Sequence, residues 1–145
     1  MRELNFDTGL VRYTVNGIEG AVCFNPTDSA FFKKVYELFS ELSEKCDQYE
    51  KKMKELDDGI DRYLMVSDLD AEIKEAIDAL FEKPGLSDLL FNIDGQKVSP
   101  NALAGGFPLW ANFILAIADE ADASIKDQLA KSKVRMEKYT KKYHR

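Results

Sequence analysis

Apolar and polar positions alternate along "LVRYTVNGIEGAVCF", then the period changes. Asn16-Gly17 is the favoured pair for a two-residue type I′ turn, because both positions take positive φ. Counting outward from it, Val15 lies opposite Ile18, Tyr13 opposite Gly20 and Val11 opposite Val22. These six residues then share one face of a hairpin, with Arg12, Thr14, Glu19 and Ala21 on the other. Leu4 and Phe6, two positions apart, offer a short third strand. The segment "FNPTDSAFF" ends the alternation: Pro26 holds Asn25 extended, and Thr27 or Asp28 caps a new helix.

From Phe32 the apolar positions run Val35, Phe39, Leu42, Cys46, Tyr49, Met53, Leu56, alternating steps of 3 and 4. That is a heptad seam, and it predicts a long helix over 27–57, with Gly59 ending or bending it. A second helix, 60–82, carries Leu69, Ile73, Ile77 and Leu80 on one face. Ser67 and Asp70 are spaced as a capping pair, and "EKPG" from Glu82 stops the helix. "LSDLLFNIDGQKVSPNALAGG" reads as a short helical turn, a turn at Asp94-Gly95 and a loop, with Gly105-Gly106 as a flexible approach to the next helix.

The last predicted helix, 107–143, opens at Phe107-Pro108, since proline is tolerated in a first turn. Its start, "LWANFILAIA", is apolar on nearly every side and reads as core. Beyond it Ile125, Leu129, Ser132, Met136, Tyr139 and Tyr143 form a second seam, and Lys131, Arg135, Lys138, Lys142 and Arg145 form a basic stripe. The expected fold is one α+β domain over 1–145, mainly α. It comprises a hairpin region at 1–25, the long seamed helix and two or three further helices.

Composition narrows the function classes. The formal net charge is −6, yet 126–145 holds eight Lys or Arg against Asp127 and Glu137, so the rest of the chain carries −12. An acidic body disfavours nucleic acid as a partner, because phosphate neutralisation dominates that binding. Val98 to Ala118 is free of charge but is broken by Pro100, Gly105, Gly106 and Pro108. Its unbroken helical part is too short to span a bilayer, so a cytoplasmic protein is expected. Cys23 and Cys46 form no CxxC motif and read as buried apolar thiols.

The one histidine, His144, lies at the end of the chain, which leaves no His-based acid–base, nucleophile or metal arrangement. "NIDG" at Asn92 to Gly95 lacks the carboxylates of a calcium loop, and Asp119, Glu120 and Asp122 read as a solvated helix face. The expectation is a protein without catalytic residues, cofactor, metal or small-molecule substrate.

Two stretches carry a family resemblance. "VNGIEGAVCFNPTDSAFFKKVYELF" and "ALAGGFPLWANFILAIADEAD" resemble small proteins encoded in tail-gene clusters of phages and prophages of Gram-positive bacteria. There a β-hairpin leads through an "FNP(T/S)D" segment into a helix, and "P-x-W-x-N" opens a late apolar helix. The matching residues are Asn25, Pro26, Thr27 and Asp28 after the Asn16-Gly17 turn, then Pro108, Trp110 and Asn112.

Some of these proteins are similar to tail assembly chaperones, which implies a partner: the long tape-measure protein, kept soluble until tube subunits replace the chaperone. The expected binding surface is the two seams, Leu42, Tyr49, Met53 and Leu56 on the first, Ile125, Leu129, Met136 and Tyr139 on the second. A second copy of the chain is the other partner the seams would suit. Two other readings stay open at this point: a minor structural protein retained in the virion, and a phage-encoded regulator using the basic C-terminal stripe.

Overall fold

A computed structural model describes residues 1–122 and Ile125. Its order is β1 (Val11–Val15), β2 (Ile18–Phe24), α1 (Ser29–Met53), α2 (Gly59–Leu80), α3 (Leu86–Leu90), β3 (Asn92–Ile93), β4 (Gln96–Lys97), β5 (Leu103–Ala104), β6 (Phe107–Pro108) and α4 (Leu109–Asp119). This is an α+β fold, mainly α. Among the described residues the strands pair as three separate antiparallel hairpins, β1-β2, β3-β4 and β5-β6.

Asn16 and Gly17 take φ of 48° and 84° at the β1-β2 turn, and Val15 pairs with Ile18 as its two-residue loop dictates. Further out the register departs from the simple count: Tyr13 faces Val22, not Gly20, and Val11 faces Phe24, not Val22. Between these pairs Thr14 stands against Glu19, Gly20 and Ala21. Gly20 absorbs the extra residues at φ 61°, a conformation that a side chain would strain. The irregularity breaks alternation, so consecutive Ala21 and Val22 are both buried and Cys23 is exposed. Leu4 and Phe6 add no strand; residues 1–10 carry no regular structure.

Asp28 is the N-cap of α1, its carboxylate accepting the N–H groups of Ala30 and Phe31 at 3.0 and 3.2 Å. The helix stops at Met53, and Gly59 begins α2 behind the Asp58 cap instead of bending α1. Ser67 and Asp70 therefore lie inside α2 and cap nothing. Gly105 and Gly106, at φ 63° and 87°, are the two turn residues of β5-β6, not a flexible approach. Helix α4 starts at Leu109, with Pro108 as its cap. The helix ends at Asp119 with Glu120 as its C-cap, so the predicted unbroken run to 143 is interrupted at 120–122. Beyond that point all but Ile125 lies outside the described residues, and so does most of the second seam.

The core lies where α1, α2, α3 and α4 meet. Phe32, Val35, Leu42, Ile73, Ile77, Leu86, Trp110 and Ile114 are each 0% exposed, and Phe39 packs on Trp110 with ring centroids 5.5 Å apart. A run of rings seats the hairpin on α1: Tyr13 stacks on Phe24 at 4.4 Å, and Phe24 on Phe31 at 5.0 Å. Asp122 N–H donates to the Pro26 carbonyl at 3.1 Å and ties the end of α4 to the hairpin–helix junction. No described helix is long and apolar enough to cross a membrane.

Candidate protein-binding surface

Burial along the α1-α2 pair is uneven, and the unevenness defines the candidate surface. The fully buried residues of α1 end at Leu42, and those of α2 begin at Leu69. Between them, Cys46, Tyr49, Met53, Leu56, Met65 and Val66 are half-buried in a helical hairpin that extends past the core. Tyr49 donates its hydroxyl to Glu72 at 2.9 Å, joining the two helices, and this bond with burial raises the phenol pKa. Arg62 donates to the Leu56 carbonyl at 2.8 Å, and Asp58 accepts the Ile60 N–H at 2.9 Å. These two bonds fix the connection between the helices.

On that framework Ile60, Tyr63 and Leu64 stand 69%, 75% and 56% exposed. Their spacing puts them on one face of α2, and by the 3.6-residue period that face is turned away from Leu69 and Ile73. Asp57, Asp58, Asp61 and Asp68, all exposed, rim it with negative charge. An exposed apolar stripe inside a polar rim is one of the features that make a surface a candidate for interaction.

The structure divides the sequence-predicted seams. Leu42 is 0% and Ile125 3% exposed, so both belong to the chain's own core and neither is open to a partner. The reason is the heptad itself: α2 and α4 fill the groove that the first half of the α1 seam presents. Tyr49, Met53 and Leu56 are half-buried along the extended hairpin. Leu129, Met136 and Tyr139 lie outside the described residues. Asn16 and Gly17 form the turn, and Asn25, Thr27 and Asp28 form a hydrogen-bonded junction with Pro26 beside them. Pro108 caps α4, Trp110 is core, and Asn112 Nδ2 donates to the Ala104 carbonyl at 3.0 Å.

Two polar knots escaped the sequence reading. Asp70 Oδ1 accepts from Ser99 Oγ and from Asn101 Nδ2, each at 2.8 Å, while Asn101 Oδ1 accepts Trp110 Nε1–H at 3.1 Å and the Cys46 thiol at 3.7 Å. This fastens the 98–102 loop to α1, α2 and α4. Burial pushes the Cys46 thiol up to about 11. In the second knot Asp78 accepts the N–H groups of Ser87 and Gly85 at 2.7 and 3.1 Å, and the Ser87 hydroxyl lies 2.7 Å from the same carboxylate. Both knots join elements, and Asp78 of the second also lines an open cavity of about 500 Å³ with Glu75, Glu82 and Lys83. Of the Asp119, Glu120 and Asp122 cluster, Asp119 and Glu120 are exposed and Asp122 accepts the Ile125 N–H at 3.0 Å. Among the described residues no group of three or more His, Cys, Asp and Glu side chains is placed to hold a metal ion.

No family model matches this chain, and comparison with curated proteins and with solved structures finds no match either.

Proposed function

We propose that this protein acts by binding another protein, taking an apolar helical segment with basic flanks on the outer face of α2, and that it has no catalytic role. The observation that supports this is the Ile60, Tyr63 and Leu64 stripe with its acidic rim, held on a capped and cross-linked helical hairpin. An amphipathic helix laid along such a stripe buries its own apolar face, and basic residues at its edges meet Asp57, Asp61 and Asp68. The tail-cluster resemblance names the form this takes: a tail assembly chaperone that covers the apolar stripe of a tape-measure protein in the bacterial cytoplasm.

The magnitudes suit a partner that must later be released. Burying three such side chains contributes about 1.5–3 kcal/mol each. Association itself costs on the order of 4–15 kcal/mol. A single site is therefore weak, and stable coverage comes from many copies along one long partner. The test is co-expression with the tape-measure protein from the same gene cluster, followed by fractionation and pull-down. The chaperone reading expects that protein to move into the soluble fraction and co-purify. Recovery of this chain in purified, mature particles, with no effect on solubility, would instead make it a structural component.

A further inference from the structure

The N-terminal arm and a groove elsewhere on the molecule form a complementary pair. Residues 1–10 are all exposed, with Leu4 at 92% and Phe6 at 84%, yet the root of this arm is fixed. Asn25 Nδ2 donates to the Thr8 carbonyl at 3.1 Å, while Asn25 Oδ1 accepts the Thr27 N–H at 2.9 Å and its hydroxyl at 2.7 Å. Gly9 turns at φ 67° against the same side chain, and a Cβ there would stand 2.5 Å from Asn25 Nδ2. Among the described residues no hydrogen bond holds residues 1–6. The segment is thus fixed at Thr8 and Gly9, with Leu4 and Phe6 exposed beyond that point.

The groove runs between the β1-β2 hairpin and α4. It consists of two adjoining cavities of about 210 and 330 Å³ that share a wall of Val15, Asn16, Phe113 and Ala116; Phe24 lines the first and Phe91 the second. Strand β1 borders it and among the described residues pairs only with β2, which leaves its outer edge without a strand partner there. Leu4 and Phe6 lie two apart, and on an extended segment they point to the same side about 7 Å from each other. Two same-side apolar side chains match two adjoining cavities in number, and Arg2, on the same side again, is complementary in charge to Glu120 on the groove's wall.

In this chain the arm is not in its own groove, since Leu4 and Phe6 are exposed and Thr8 is held at the opposite end of the hairpin from Asn16. We propose that the arm of one copy lies along β1 of a second copy and inserts Leu4 and Phe6 into the groove beside α4. The third strand that the Leu4–Phe6 spacing promised is then supplied from outside. This does not depend on the partner surface of α2, which lies on a different element.

Sedimentation velocity of the full chain from micromolar to near-millimolar concentration tests it, with two surface variants confirmed as folded by circular dichroism. Leu4→Ser/Phe6→Ser removes the arm's anchors, and Ala116→Arg, at an exposed position, fills the groove. Wild type is expected to associate, and each variant to weaken association at least tenfold. A mixture of the two variants should restore a heterodimer, because one brings an intact groove and the other an intact arm. A wild type that is monomeric throughout overturns the proposal, as does association untouched by either variant. Loss in the arm variant alone also overturns it, because the groove is then not the receptor.

Discussion

Asn101 accepts the indole N–H of Trp110 through its side-chain oxygen at 3.1 Å while its amide nitrogen donates to Asp70 at 2.8 Å. One loop residue thus bridges the buried end of α4 and the middle of α2, and its oxygen also receives the Cys46 thiol of α1. Replacing Asn101 by Ala removes the side-chain acceptor of the indole N–H and one of the two donors to the Asp70 carboxylate, which keeps Ser99. Losing buried hydrogen-bond partners of this kind costs about 1–3 kcal/mol. Urea unfolding should show Asn101→Ala less stable by about 1–3 kcal/mol. The emission of the chain's single tryptophan should change as the loop loosens.

Glu82 occupies the left-handed position just past α2, at φ 49°. The Lys83 N–H reaches the Asp78 carbonyl and the Glu82 N–H reaches that of Ala79, at 3.0 and 3.2 Å, which is the bonding pattern of a Schellman C-cap. Glycine suits that position and glutamate is strained there. Glu82→Gly should therefore raise stability by about 0.5–1 kcal/mol, read as a higher denaturation midpoint at unchanged slope.

The two thiols should separate kinetically. Cys23 is exposed, whereas burial lifts Cys46 from 9.0 to about 11. At pH 8 the Cys46 thiolate fraction is then on the order of one in a thousand. Mass spectrometry of a labelling time course should find Cys23 modified first. The Cys46 rate should rise about tenfold per pH unit up to its pKa. The neutral thiol is the form the fold favours, so this contribution to stability is intact below pH 9. It is lost as pH rises from about 9 to about 11. Equal labelling of both thiols at pH 8 would contradict the burial of Cys46.

The α1 seam and the α2 stripe should respond oppositely to substitution. Leu42→Ala opens a cavity in a fully buried site and should cost about 2–5 kcal/mol. Ile60→Ser, on an exposed face, should change stability by no more than about 0.5 kcal/mol. Thermal melts of the two variants separate a residue that holds the fold from one on the exposed face of α2.

What was legible in the sequence was what is decided locally. The Asn16-Gly17 turn, the Asp28 cap and the α1 seam follow from neighbours within a few residues, and all three are present. The register beyond Gly20 was not legible, because alternation alone does not reveal that a glycine takes extra residues into a bulge. Ser67 and Asp70 mimic a cap in spacing, but the partners of Asp70 are Ser99 and Asn101, 29 and 31 positions away, which no local pattern reports. The seam was legible as a seam and not as to what covers it. Its first half is covered by α2 and α4 of the same chain, which moved the candidate surface from Leu42 to the outer face at Ile60, Tyr63 and Leu64. The spacing of those three residues is visible in the sequence; that they face away from the core depends on Leu69 and Ile73 packing inside, which is tertiary information.

The most direct test of partner binding by α2 is a solubility and pull-down measurement with the triple variant Ile60→Ser/Tyr63→Ser/Leu64→Ser. It is compared with wild type at equal expression, both folded by circular dichroism and co-expressed with the tape-measure protein. If α2 is the binding surface, wild type holds that protein in solution and the variant does not. A folded variant that keeps the tape-measure protein as soluble as wild type does would show that the outer face of α2 is not where the partner binds.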